Sequence, residues 1–116
     1  MNNIQMNSYL DEAIKILKKH NPEEIILFGS MSNGTANMDS DIDLLVILDI
    51  DSIPATYEDK MSLTCNIRRS LRDVNKKVAL DILFYTKKEY ATMKVEKSLF
   101  LNEIDKNGKI IYEKAS

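Results

Sequence analysis

The sequence predicts an α/β domain in which helices pack on a sheet in two layers, and three observations carry that prediction. Segments with apolar residues at three- and four-residue spacing alternate along the chain with short, dense apolar runs. The chain is 116 residues long and 44% hydrophobic, material for one core, so residues 1–116 read as a single domain. Only 3 glycines and 2 prolines interrupt it, which excludes collagen-like, linker-like and low-complexity classes.

From Ser8 to about Lys19, Leu10, Ala13, Ile14 and Leu17 form an apolar stripe opposite Asp11, Lys15 and Lys18, the pattern of an amphipathic helix. Asn21-Pro22 ends it, because the residue before proline is driven out of the helical region. Ile25–Phe28 is wholly apolar and reads as a buried strand bounded by Gly29. Ile42–Leu48 is apolar on both alternating faces except at Asp43, and so predicts a central strand. A loop containing Pro54 leads to a helix from about Tyr57 to Asn75 with a stripe at Leu63, Ile67, Leu71 and Val74. Val78–Tyr85 alternates as a third strand, with Asp81, Leu83 and Tyr85 on one face. Thr86 and Glu89 form a capping box, predicting a helix to about Asp105 with a break near Ser98. Asn107-Gly108 stops that helix, and Lys109–Tyr112 reads as a last strand.

Composition narrows the function classes. Sixteen basic against 18 acidic residues leave a net charge of -2, no footprint for direct nucleic-acid binding. No apolar stretch approaches the roughly 20 residues of a membrane span, and the N-terminus lacks a signal-peptide pattern, so the expected location is cytoplasmic. One cysteine, Cys65, supports neither an internal disulfide nor a cysteine-based zinc cluster and is expected to pack as a small hydrophobe. His20 is expected to cap the first helix, Arg68, Arg69 and Arg72 to form a solvated helix face, and Asp49 and Asp51 to be solvated loop acids.

Residues 25–48 carry the chemistry. Asp41 and Asp43 stand two apart on a strand, so their carboxylates project side by side from one face. Such a pair within an apolar run repels itself and is costly to desolvate unless a cation joins it, and hard oxygen donors select Mg²⁺ or Mn²⁺ with a bound phosphate. Gly29 allows close backbone approach, and the Ser30 hydroxyl with neighbouring amides would donate to anionic oxygens. Asp81 interrupts the third apolar strand and is read as a third acid facing the same cleft. Three carboxylates suffice for two divalent ions, one serving the attacking hydroxyl and one the leaving pyrophosphate.

Two other motifs fail. An EF-hand opening at Asp39-Asp41-Asp43 has Leu44 at the glycine position and Ile50 at the glutamate position, and a P-loop across Gly29–Gly34 has Thr35 where lysine is required.

Gly29-Ser30, a ten-residue spacer, Asp41-Ile42-Asp43 and the apolar strand after them resemble the signature of the minimal nucleotidyltransferases, relatives of the DNA polymerase β superfamily. The leading helix, Asp81 in Ala79-Leu80-Asp81-Ile82-Leu83 and the closing turn and strand extend the resemblance over nearly the whole chain. It implies a polymerase-β-like fold with a small mixed sheet, Gly29 and Ser30 on the nucleotide phosphates, Asp41 and Asp43 on Mg²⁺, and Asp81 completing the metal site or acting as base. It further implies ATP as substrate and an antitoxin role, with AMP transferred to a tyrosine of a HEPN ribonuclease partner. Met31, Asn33 and Asn37 stand where the family often has arginines, which favours as alternative a catalytically weak module that neutralises the partner by contact. Lys76, Lys77, Arg68, Arg69 and Arg72 are the candidates to replace the lost charge, and homo-oligomerisation through an exposed sheet edge is a further expectation.

Overall fold

The computed structural model of the chain describes residues 3–29, 42–96 and 99–115. In chain order its elements are α1 (Asn3–Lys18), β1 (Pro22–Phe28), β2 (Ile42–Leu48), α2 (Tyr57–Ser70), α3 (Arg72–Lys77), β3 (Leu80–Thr86), α4 (Lys87–Glu96), α5 (Leu99–Asn107) and β4 (Lys109–Glu113). The strands form one mixed sheet in the order β3-β2-β1-β4. β2 runs parallel to β3, while β1 is antiparallel to both β2 and β4. Among the described residues no helix is long and apolar enough to cross a membrane.

The apolar character of both faces of β2 places it inside the sheet and demands cover on both sides. On one face Leu44, Val46 and Leu48 pack with Leu10, Ala13 and Leu17 of α1, with Ile67 of α2 and Val74 of α3, and with Leu71 between those two helices. On the other, Leu45 and Ile47 meet Ile26, Tyr90 of α4, and Leu101 and Ile104 of α5. The α/β expectation is met, and α4 and α5 add a further layer to the two expected.

Several boundaries differ from the sequence reading for local reasons. α1 begins at Asn3, ahead of the expected Ser8. The helix expected over 57–75 divides at Leu71, whose backbone (φ -93, ψ 0) joins α2 to α3 while its amide reaches the carbonyls of Ile67 and Arg68. Leu63 is 39% exposed, and Thr64 takes the inward place beside Ile67. Burial of Thr64 is tolerated because its hydroxyl donates to the Lys60 carbonyl at 3.1 Å. Cys65, next to it, therefore faces outward: it is exposed, not packed in the core, and its Sγ lies 3.5 Å from the Ser62 carbonyl.

The capping box closes as predicted, with the Glu89 amide donating to Thr86 Oγ1 at 3.1 Å and the Thr86 amide donating to Glu89 Oε1 at 2.9 Å. Gly108 ends α5 at a point where a Cβ would meet the Ile104 carbonyl oxygen at 2.6 Å, so only glycine fits there. His20 lies 3.1 Å from the Ser70 hydroxyl. Because that hydroxyl donates to the Ile67 carbonyl at 2.6 Å, its oxygen accepts from Nε2–H, and the imidazole ties α1 to α2 where helix capping was expected.

Asp49 is exposed just after β2, as expected of a solvated loop acid, and it is also an ion-pair hub. It bonds Lys87 at 2.8 Å and Lys114 at 2.5 Å, joining the end of β2 to the start of α4 and to the segment after β4. Hydrogen bonds from Lys114 and Lys87 hold its carboxyl well below the ordinary value of 3.8, at about 2. A carboxyl depressed on folding contributes stability that is present above the unfolded value and is lost as pH falls through the folded one. The stability difference between wild type and Asp49→Asn in urea unfolding is therefore expected to be constant above about pH 4 and to shrink between pH 4 and about 2. An unchanged difference across that window would rule the hub out as a contributor.

Candidate active site

Three strands bring their ends to one edge of the sheet. β1 finishes there, while β2 and β3 start there, because β2 is antiparallel to β1 and parallel to β3. The register pairs Phe28 with Asp43 and Asp43 with Asp81. Register partners on neighbouring strands share a face, and adjacent strands lie only about 4.8 Å apart, so Asp43 and Asp81 stand side by side. That face is the α4/α5 face, since Leu45 and Leu83, each two residues on, pack with Tyr90, Leu101 and Ile104.

The two acids lie beyond the helical cover. Asp43 is half-buried and Asp81 is exposed. This corrects one step of the sequence argument: β3 is an edge strand, so Asp81 has little desolvation cost to explain. Its register with Asp43 is what brings it beside that carboxylate. The shared signal was legible in the repeat of Asp43-Leu44-Leu45 as Asp81-Ile82-Leu83, each opening a strand with an acid two before an inward leucine.

Gly29 adopts φ +74, in the left-handed region, and a Cβ built on it would run into the Asp43 carboxylate, with Asp43 Cγ at 3.1 Å and Cβ at 3.4 Å. The close approach expected at this glycine is made by the protein's own carboxylate. Ser30, Asp41, Met31, Asn33, Gly34 and Asn37 lie outside the described residues. Among the described residues no group of three His, Cys, Asp or Glu side chains is set around one point, and the candidate donors they offer at this edge are Asp43 and its register partner Asp81. Two adjacent carboxylates, hard and anionic, suit Mg²⁺ or Mn²⁺.

Of the cations offered as replacements for the loop arginines, Arg68, Lys76 and Lys77 make contacts elsewhere. Arg68 stacks on Phe84 at 4.7 Å, and Phe84 belongs to the opposite face of the sheet. Lys77 pairs with Glu12 at 3.8 Å, and Lys76 lies 4.0 Å from Asp73. Arg69 and Arg72 are exposed, as expected of a solvated face. On the α4/α5 face Lys60 lies 4.3 Å from the Tyr85 ring and bonds Glu89 at 3.3 Å. Burial, and then the charge of Glu89, push the Tyr85 hydroxyl above its ordinary value of 10.0.

Residues 11–116 match the family model described as "Polymerase beta, Nucleotidyltransferase". Comparison with curated proteins returned no match. Among solved structures the chain is similar to a protein from Sulfolobus solfataricus described as a candidate nucleotidyltransferase, with 19% identity and a TM-score of 0.61 over 96% of this chain and 83% of that one. It is also similar to a toxin–antitoxin solved with AMP-PNP (20% identity, TM-score 0.52) and to a substituted MntA–HpeT toxin–antitoxin (20%, 0.51), each match covering 90% of this chain and 73% of the other. At these identities the likeness is one of fold.

If the paired acids hold a divalent ion, adding Mg²⁺ to chelator-treated protein raises its melting temperature. At a hundredfold excess over Kd the linkage is about 2.7 kcal/mol, on the order of 10 °C for a chain of this length. Asp43→Asn is expected to abolish the Mg²⁺ response in differential scanning fluorimetry; a response of the same size in the variant would place the ion elsewhere.

Proposed function

The chain belongs to the polymerase β nucleotidyltransferase family, and we propose that it is a Mg²⁺-dependent transferase that moves AMP from ATP to a tyrosine hydroxyl of a HEPN toxin, acting as its antitoxin. The observation that carries this reading is the register of Asp43 with Asp81 beside Gly29. The toxin–antitoxin structures that share the fold, one with AMP-PNP, support the choice of partner and of nucleotide.

In this reading Asp43 and Asp81, with Asp41, hold Mg²⁺, whose charge when bound neutralises the triphosphate and the departing pyrophosphate. Gly29 and Ser30 contact the phosphates. Asp81 also takes the proton of the acceptor hydroxyl. The hydroxyl oxygen forms a bond to the α-phosphorus as the bond to the bridging oxygen of the β-phosphate breaks, and pyrophosphate carries that electron pair away. The exposure of Asp81 on an edge strand suits an acceptor hydroxyl borne by another protein.

The test mixes the chain with labelled ATP, Mg²⁺ and a small helical HEPN-domain protein. A mass increase of one AMP on that protein is expected. Asp43→Asn removes several kcal/mol of charge stabilisation and is expected to slow transfer by about two to three orders of magnitude, with the far-ultraviolet circular dichroism unchanged. A stable complex with no mass change would favour the contact-only module.

A further inference from the structure

We infer that Gly29 is a positioning residue for the Asp43 carboxylate, seating it for cation binding before any nucleotide arrives. The inference rests on the reading of Asp43 as a metal-holding acid and assigns Gly29 a role in addition to phosphate contact. Phe28 and Asp43 are register partners across β1 and β2, so the residue after Phe28 lies diagonally beside Asp43. Gly29 leaves the strand there at φ +74, and the space a Cβ would occupy is filled by Asp43 Oδ2. The carboxylate thus rests on the Cα of Gly29 on its β1 side, while its β3 side faces the register partner Asp81.

A side chain confined in this way has lost part of its rotameric freedom before the ion binds, and preorganised ligands bind more tightly than free ones. The obstruction falls on the far end of the Asp43 side chain and not on the backbone of β2. A Cβ at position 29 therefore displaces the carboxylate while leaving the strand pairing in place.

The test is a Mn²⁺ titration by electron paramagnetic resonance in the absence of nucleotide, a readout that a purely phosphate-contacting glycine would not move. Gly29→Ala is expected to bind Mn²⁺ about 10- to 100-fold more weakly than wild type, the usual cost of losing a residue that orients a ligand. Gly29→Asn is the companion variant, because asparagine tolerates the left-handed conformation yet carries the Cβ, and it should show the same loss. Wild-type Mn²⁺ affinity in Gly29→Asn, with binding abolished in Asp43→Asn, would overturn the inference and leave the site reading intact. Wild-type affinity in Asp43→Asn would overturn the site reading itself. Should both position-29 variants fail to fold, the double variant Gly29→Asn/Asp43→Gly decides: recovery of folding supports the collision, and continued failure refutes it.

Discussion

A carboxylate at the head of an interior strand is the constraint on which this molecule turns. β2 is packed on both faces, and Leu44 and Leu45, the residues directly after Asp43, are fully buried. Folding β2 into the sheet therefore carries Asp43 to the boundary between core and solvent, where its charge needs a partner more than a surface acid does. The register of the sheet supplies another acid as its neighbour, Asp81. In the proposed function a cation shared by the two would convert that repulsion into a binding site.

The topology that creates the site also separates it from the interactions that secure the far end. The crossover through α2 and α3 makes β2 and β3 parallel, so both acids occupy the starting edge of the sheet. At the finishing edge, Asp49 gathers Lys87 and Lys114 and ties together segments distant in sequence. A seven-residue strand spans roughly 20 Å, more than a Debye length at physiological salt, so the two charge centres are largely screened from each other.

The strands and their order of burial were legible because apolar density and period are strong local signals. Ile42–Leu48 was bounded to the residue, the capping box at Thr86 and Glu89 was recognised from spacing alone, and Asn107-Gly108 ended the last helix as expected. What the sequence hid depended on partners distant in the chain. Thr64 replaces Leu63 in the core because a backbone carbonyl satisfies its hydroxyl, and Cys65 turns outward as a result. The ion pairs of the exposed loop acid Asp49 were hidden because its two lysines lie 38 and 65 residues away. At the site, the roles of Asp43 and Asp81 were read from the cost of burying charge. That argument suits half-buried Asp43, whereas Asp81 is joined to it by strand register, which only the assembled sheet reveals.

In the proposed function Asp43 and Asp81 share one divalent cation at the starting edge of β2 and β3. A crystal structure of the chain grown with Mn²⁺ and a non-hydrolysable ATP analogue, with anomalous diffraction collected at the manganese edge, tests it most directly. The expected result is an anomalous peak within coordination distance, about 2.0–2.3 Å, of carboxylate oxygens from both residues. A peak coordinated by neither, or a lysine or arginine side chain lying between the two carboxylates in place of the metal, would contradict it.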